Sequence, residues 1–155
     1  MTTLKPRVFI FCDGSCPDNS HSRIENVLGS YAIILKDTND RYKEIVGTED
    51  NATNNRMELL AAIIGLETLK APCTVYLHSD SEYVVFGINK RLKRWEKRNW
   101  TGIQNVDLWK RISALLLTHD VKAFYASEKL CPEIKRCDIL AKEQSRAKIN
   151  DRNDQ

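Results

Sequence analysis

Four carboxylate residues stand at positions where side chains with a chemical role often gather. Asp13 and Asp80 follow apolar stretches that predict strands, and each lies at the carboxyl end of its strand. Glu58 and Asp138 are predicted to lie in the first turns of helices. In α/β proteins, binding and catalysis concentrate where strand ends and helix starts meet. We therefore expect the four side chains to lie together at one edge of a sheet.

Such a group would need cations. Two unit charges ~4 Å apart repel by roughly 4 kcal/mol at an effective dielectric constant near 20. The ligands would all be oxygen atoms, which favour hard ions, so Mg²⁺, or Mn²⁺ in its place, is the expected cofactor. Two such ions ~4 Å apart would suit phosphodiester hydrolysis, with one activating water and the other stabilising the leaving oxygen.

Each residue also has a purely structural interpretation. Glu58 could form an N-x-x-E cap with Asn55, Asp138 could simply favour a helix start, and Asp13 and Asp80 could be turn residues. The neighbours of Glu58 argue for the shared site, because its helix face is made of small residues suited to close packing. These neighbours are Ala61, Ala62 and Gly65.

The periodicity of the chain predicts a single mixed α/β domain over residues 1–155, with an ordered core from about 7 to 147 and a polar tail over 148–155. Short connections predict antiparallel pairing of the first three strands. The predicted strands are 7–12, 29–37, 41–49, 73–80 and 121–126; the predicted helices are 53–70, one or two within 81–100, 106–119 and 137–147.

Composition restricts the class of protein. Of the 155 residues, 42% are hydrophobic and 29% charged, which is typical of a soluble globular domain. The chain has no apolar run near the ~20 residues that span a bilayer and no signal-peptide pattern. Its five cysteines have no zinc-binding spacing, so we interpret them as reduced thiols. We expect a cytoplasmic protein, monomeric and without a membrane partner.

Positive charge is concentrated in one segment. Residues 89–111 hold eight basic side chains against two acidic ones, a local balance of +6 in a chain whose net charge is +3. All three tryptophans of the chain also lie there. Basic and aromatic residues together suit a nucleic-acid backbone, but a solvated helix face would carry the same charges. Charge alone leaves both interpretations open.

Five motifs in order resemble the type 1 ribonuclease H family: "FCDGSC" (11–16), "TNNRMEL" (53–59), "SDSEYV" (79–84), "NVDLW" (105–109) and "PEIKRCD" (132–138). The resemblance covers about residues 7 to 147 and implies a ribonuclease H-like fold, a five-stranded mixed sheet with helices on both faces. It also implies endonucleolytic cleavage of the RNA strand of RNA–DNA hybrids, leaving 5′-phosphate and 3′-hydroxyl ends. Asp13, Glu58, Asp80 and Asp138 match the family's metal ligands.

The same resemblance suggests residues that bind the hybrid. Thr53 and Asn105 match positions that hold a phosphate of the DNA strand, although Asn51 stands where bacterial relatives have an arginine. The positions matching contacts to the RNA strand are Cys16, Asn19, Asn54, Asn55 and Glu82, the last being glutamine in familiar bacterial members. The positions matching the family's basic protrusion are Lys90, Arg91, Lys93, Arg94, Trp95, Lys97, Arg98 and Trp100.

Two departures from the family pattern bear on activity. A long polar segment over 17–30 replaces a glycine-rich turn, and Glu128 occupies the place of a histidine thought to assist proton transfer. They favour an alternative function, a hybrid-binding module of this fold with little or no turnover. Four retained carboxylates favour the nuclease, because a binder facing phosphates gains nothing from uncompensated negative charge. A DNA-cutting relative, such as an integrase or resolvase, fits "TNNRMEL" and the basic helix poorly.

Overall fold

The computed structural model of the chain describes residues 4–16, 28–50 and 52–153. Within these ranges, five strands form one sheet in the order β3-β2-β1-β4-β5. The first three strands pair antiparallel, whereas β4 lies parallel to both β1 and β5. This confirms the predicted fold class. The strands are β1 Arg7–Ser15, β2 Gly29–Asp37, β3 Tyr42–Glu49, β4 Thr74–Ser79 and β5 Asp120–Tyr125.

Helices cover both faces of the sheet. One face of the sheet packs against α1, and α4 packs on α1 in the same large hydrophobic core. The other face packs against α5 in a smaller core. Among the described residues, no helix has the length and apolar character needed to cross a membrane. The helical segments are α1 Asn54–Glu67, α2 Glu82–Phe86, a π-helix Gly87–Arg91, α3 Leu92–Lys97, α4 Val106–Thr118 and α5 Pro132–Asn153.

Strand β1 continues to Ser15, past its predicted end at residue 12, so the alternative interpretation of Asp13 as a turn residue was wrong. Gly14 pairs with Tyr31 of β2, inside the strand. A Cβ atom built on Gly14 would lie 2.3 Å from the carbonyl carbon of Met57 and 2.5 Å from the backbone nitrogen of Glu58. The glycine therefore allows close approach of α1 to β1 rather than a reversal of the chain.

Helix α1 begins earlier than the capping alternative required. Its N-cap is Thr53, whose hydroxyl accepts a hydrogen bond of 3.2 Å from the backbone N–H of Arg56. Glu58 is consequently the fifth residue of the helix, outside the first turn. The predicted first-turn position of Glu58 was wrong, and so was the proposed N-x-x-E cap with Asn55.

Helix α5 is longer than predicted at both ends. It starts at Pro132, a residue that suits a first turn because the missing N–H needs no partner there, so Asp138 lies in the second turn rather than the first. It continues to Asn153 through the segment predicted as a polar tail, and Arg152 forms an ion pair of 2.5 Å with Asp50. One face, spaced at three to four residues, is buried against the sheet: Ile134, Cys137, Ala141 and Ser145.

The segment predicted to hold one or two helices before α4 contains three successive pieces, α2, the π-helix and α3. The wider π turn lies where Trp109 of α4 packs. A Cβ atom on Gly87 would lie 2.0 Å from Cη2 of the Trp109 ring, so a side chain at this position would collide with the indole. Trp109 itself is fully buried. The fold thus anchors the start of the basic segment on a core tryptophan.

Candidate active site

Three of the four predicted carboxylates meet at the carboxyl edge of the sheet. Cys12 of β1 pairs in register with Ser79 of the parallel strand β4, so the next residues, Asp13 within β1 and Asp80 directly after β4, lie side by side. Helix α1 brings Glu58 to the same place. Asp13, Glu58 and Asp80 each offer an oxygen atom, and these ligand atoms all lie within 4.8 Å of one another. We call these three residues the carboxylate cluster.

The cluster is held in a poorly hydrated place. Asp13 is only 4% exposed. Burial and then the charge of Asp80 raise the pKa of Asp13 to about 8. Burial, followed by the charges of Asp13 and Asp80, also raises the pKa of Glu58 well above its usual range. The pKa of Asp80 is raised as well, chiefly by burial.

Hydrogen bonds link Asp13 to both Glu58 and Asp80. A hydrogen bond between two carboxyl groups needs at least one of them to carry a proton. The cluster is therefore poised to keep protons at neutral pH unless a cation replaces them. The backbone N–H of Gly14 also hydrogen-bonds Glu58, which lowers the pKa of that carboxyl in partial compensation.

One atom of the cluster indicates what it could hold. Glu58 Oε2 is buried and has no hydrogen-bond partner among the described residues. A buried oxygen left unsatisfied costs free energy unless a ligand or ion reaches it. With three convergent carboxylates and no nitrogen or sulfur ligand in the group, the donor set fits a hard divalent cation such as Mg²⁺ or Mn²⁺.

Asp138 is close to the cluster but is not one of its three members. Its charge raises the pKa of both Asp13 and Asp80, while its own Oδ2 accepts a hydrogen bond of 3.0 Å from Lys142 Nζ. Glu128 is exposed on the loop between β5 and α5, and its charge also raises the pKa of Asp80. Both residues therefore lie within electrostatic reach of the cluster, and their predicted roles as metal ligand and proton shuttle stay predictions.

Four of the residues predicted to bind the hybrid converge beside α1. A surface cleft of 520 Å³ joins the start of that helix to the start of α4 and brings together Thr53 and Asn105, which are far apart in sequence. The cleft is lined by Thr53, Asn54, Asn55, Gln104 and Asn105. Five polar side chains around an open cleft can offer several hydrogen bonds to a phosphate or a sugar hydroxyl.

Cys16 and Asn54 are joined to each other. The backbone N–H of Cys16 donates a hydrogen bond of 2.9 Å to Asn54 Oδ1, and the Cys16 thiol is buried next to the carbonyl of Ala52. Glu82 is exposed at the start of α2. Asn19, Asn51 and His21 lie outside the described residues.

Comparison with known proteins decides the family. A ribonuclease H family profile matches residues 5–146. The chain belongs to the type 1 ribonuclease H family. It is 40% identical over 147 residues to ribonuclease H of Campylobacter concisus, covering 94% of this chain and 96% of that protein. It is 43% identical over 123 residues to ribonuclease HI of Caulobacter vibrioides, covering 76% and 78% of the two chains.

Solved structures share the fold at lower identity. LC9-RNase H1, described as a type 1 enzyme with the type 2 active-site motif, has a TM-score of 0.82 at 21% identity, covering 95% of this chain and 75% of that one. A foamy viral protease-reverse transcriptase in complex with an RNA/DNA hybrid has a TM-score of 0.69 at 18% identity, covering 92% of this chain and 20% of that one. At such identities the likeness shows the fold alone.

The basic side chains of this ribonuclease H are exposed, whereas Trp95 and Trp100 of the same segment are partly buried. Six cationic residues of the π-helix, α3 and the C-cap of α3 are exposed: Lys90, Arg91, Lys93, Arg94, Lys97 and Arg98. Trp95 is half-buried and meets Trp109 edge to face, with 4.9 Å between ring centroids. Trp100 is half-buried against the same core. The observed role of both tryptophans is to fasten the segment, and their contact with nucleic acid stays a prediction.

Several positioning residues were missed in the sequence. Arg56 donates hydrogen bonds of 3.0 and 2.7 Å to the two carboxylate oxygens of Asp107 and another of 3.2 Å to Asn105 Oδ1. Asn105 in turn donates to the hydroxyl of Tyr83. Arg56 thus supports the loop that leads into α4. Charge spacing along one helix could not reveal a pair 51 residues apart.

Two of the histidines are explained by packing. His78 stacks between Phe11 and Phe124, with ring-centroid distances of 4.7 and 5.4 Å. His119 is buried after α4, where its Nδ1 accepts a hydrogen bond of 3.1 Å from the backbone N–H of Cys73. Both rings are thus accounted for by contacts within the fold.

Proposed function

We propose that this protein is an endonuclease that hydrolyses the RNA strand of RNA–DNA hybrids with two divalent metal ions, Mg²⁺ or Mn²⁺, and leaves 5′-phosphate and 3′-hydroxyl ends. The carrying observation is the carboxylate cluster, in which one buried and two partly buried acidic groups lie within 4.8 Å, so that their mutual repulsion calls for a cation. Membership in the ribonuclease H family supports the same reaction.

The residues divide into three roles. Asp13, Glu58 and Asp80, joined by Asp138, would hold the ions, which supply water activation and stabilise the leaving oxygen when bound. The cleft that contains Thr53 and Asn105 would bind one strand of the hybrid through phosphate contacts. The exposed cations from Lys90 to Arg98 would attract the duplex and make its binding weaken steeply with salt.

A labelled hybrid tests the proposal. Parent protein and Asp13→Asn are incubated with the hybrid in Mg²⁺, in Mn²⁺ and in chelator, with an RNA duplex of the same sequence as a control substrate. We expect the parent to cleave the hybrid but not the RNA duplex, and to do so only when Mg²⁺ or Mn²⁺ is present. Asp13→Asn should cleave neither substrate. Equal cleavage by parent and Asp13→Asn would overturn the mechanism, and binding without any cleavage would establish the hybrid-binding alternative.

Glu128 is proposed to serve in place of the family histidine. A glutamate has a reference pKa near 4.3, against ~6.5 for histidine, so it is a weaker proton shuttle at neutral pH. Glu128→His is expected to raise the cleavage rate by about tenfold at pH 7 and Glu128→Ala to lower it. Single-turnover rates measure this step, and unchanged rates in both variants would show that position 128 is idle.

A further inference from the structure

A lysine of the chain forms an ion pair with Asp138, the fourth carboxylate predicted to bind metal. Lys142 lies one turn after Asp138 on α5, and its Nζ is 3.0 Å from Asp138 Oδ2. The Asp138 side chain is 17% exposed and the Lys142 side chain 53% exposed. A carboxylate with so little access to water is sensitive to the nearest cation, and in this structure that cation belongs to the protein itself.

The ammonium group of Lys142 also interacts electrostatically with other acidic residues of the site. The pKa of Lys142 is raised first by its hydrogen bond and charge interaction with Asp138, and then by the charges of Glu128 and Asp13. Asp138, in contrast to Asp13, Glu58 and Asp80, does not contribute to the group of mutually close ligand atoms. The acidic residue bonded to the lysine is thus the one that stands apart from the cluster.

We propose that Lys142 is a positioning residue that holds Asp138 in the metal-free protein and must release it before Asp138 can serve as a metal ligand. This inference rests on the proposed function, because it takes the carboxylates as ligands of a divalent ion. Lys142 then opposes ion binding by occupying the Asp138 oxygen that the ion would take. It sets how much metal the enzyme needs.

The expected size follows from the exposure of the pair. Partly exposed ion pairs are weak, so releasing Asp138 should strengthen metal binding by about two- to fivefold. Lys142→Met removes the charge and keeps most of the apolar stem, whereas Lys142→Arg keeps the charge and can still bond Asp138. Lys148→Met makes the same change at an exposed position farther along the same helix and serves as the control.

Titration with Mn²⁺ alone, followed calorimetrically on the full chain, tests the inference without catalysis. We expect Lys142→Met to bind Mn²⁺ two- to fivefold more tightly than the parent, and both Lys142→Arg and Lys148→Met to bind as the parent does. The concentration of metal at half-maximal cleavage should fall by the same factor in Lys142→Met. An affinity for Mn²⁺ that is unchanged in Lys142→Met overturns the proposal.

A double-mutant cycle separates action through Asp138 from a general effect of charge. In an Asp138→Asn background, Lys142→Met should leave the affinity for Mn²⁺ unchanged, because the carboxylate that the lysine holds has been removed. An increase that persists in this background overturns the positioning role. A parent that binds Mn²⁺ and shows the expected cycle but cleaves no hybrid contradicts the proposed function and leaves the role of Lys142 standing. A parent that binds no Mn²⁺ contradicts both.

Discussion

Two groups of polar residues in this protein differ in how well their polar atoms are paired. In the carboxylate cluster, three acidic groups with little access to water, one buried and two partly buried, lie close together, and Glu58 Oε2 is left without a hydrogen-bond partner in the described part of the chain. Under the basic segment, Trp109 Nε1 and Asn105 Nδ2 both donate to the hydroxyl of Tyr83, at 2.9 and 3.1 Å. We call Tyr83, Asn105 and Trp109 the tryptophan network.

The difference indicates what each region contributes. Buried polar groups that are fully hydrogen-bonded rigidify a structure, whereas unpaired ones destabilise it. The tryptophan network should therefore stabilise the fold and hold the basic segment in place. The carboxylate cluster should cost stability until a cation binds. Substitutions in the two regions are expected to act in opposite directions on the free energy of unfolding.

The largest expected effect is stabilisation by Asp13→Asn in chelator. Asp13 has a pKa of about 8 in the folded protein against 3.8 as its ordinary value, so its contribution to stability is complete below pH 4 and is lost as the pH rises through 8. Asn cannot ionise, and at pH 8 the variant should be more stable by about 3 kcal/mol, since each pKa unit corresponds to 1.36 kcal/mol and neighbouring carboxyls share the shift. Urea unfolding measures it.

Metal provides the check on that result. Added Mg²⁺ should raise the stability of the parent and have a smaller effect on Asp13→Asn, because an ion that binds only the folded protein stabilises it. Asp120→Asn, a change at an exposed carboxylate on β5, should behave as the parent does. A parent whose metal-free stability is constant between pH 4 and 9 would contradict the assignment of a cost to the cluster.

The second effect is destabilisation by Gly87→Ala in the other region. The added Cβ would lie 2.0 to 2.8 Å from three atoms of the six-membered ring of Trp109. Overpacking of this kind should cost about 2 kcal/mol of unfolding free energy. The affinity for Mn²⁺ should stay unchanged, since the cluster is held by other elements. Gly65→Ala, whose Cβ would approach its nearest atom only to 3.0 Å, is the less crowded control.

Trp109→Phe tests the cause of that cost. Phenylalanine lacks the distant ring atoms that Gly87→Ala would strike, so the double variant should be more stable than the sum of the two single changes predicts. The comparison is made by urea unfolding of all four proteins of the cycle. Strict additivity would show that the ring is not what makes glycine necessary at position 87.

Sequence reasoning located the carboxylate cluster more accurately than it located the residues that position the cluster. Asp13, Glu58 and Asp80 were identified because acidic residues at predicted strand ends and beside small-residue helix faces are unusual. The role of Gly14 was missed, because its closeness to α1 depends on a contact between residues 43 positions apart, which no local pattern contains. The only sequence feature that points to the role of Gly14 is its position directly after Asp13, a candidate metal ligand.

The helix boundaries show a similar limit. The apolar spacing of α5 became clear only after Cys137, so its start at Pro132 was missed, and with it the position of Asp138 in the second turn. The π-helix was missed because one extra residue in a turn barely alters the pattern of apolar residues. The antiparallel pairing of the first three strands followed from short connections, and the mixed five-stranded sheet from the resemblance; the structure confirms both.

The smallest expected effect concerns His119, which should give the opposite pH dependence to the cluster. Burial, followed by the charge of Lys5, lowers the pKa of His119 below its ordinary value of 6.5, and protonation would remove the acceptor for the Cys73 N–H. The unfolded chain therefore takes up a proton before the folded one does, and stability falls as the pH drops below 6.5. Solvent screening limits the loss to about 0.5 kcal/mol.

His119→Asn isolates this contribution, because an amide oxygen can still accept the Cys73 N–H but does not titrate. The measurement belongs in the Asp13→Asn background, where the largest opposing slope from the cluster has been removed. Urea unfolding between pH 5 and 7 should show a decline toward acid in Asp13→Asn that is absent when His119→Asn is added. The same decline in both proteins would assign it to another group and leave the cluster as the source of the opposite slope alone.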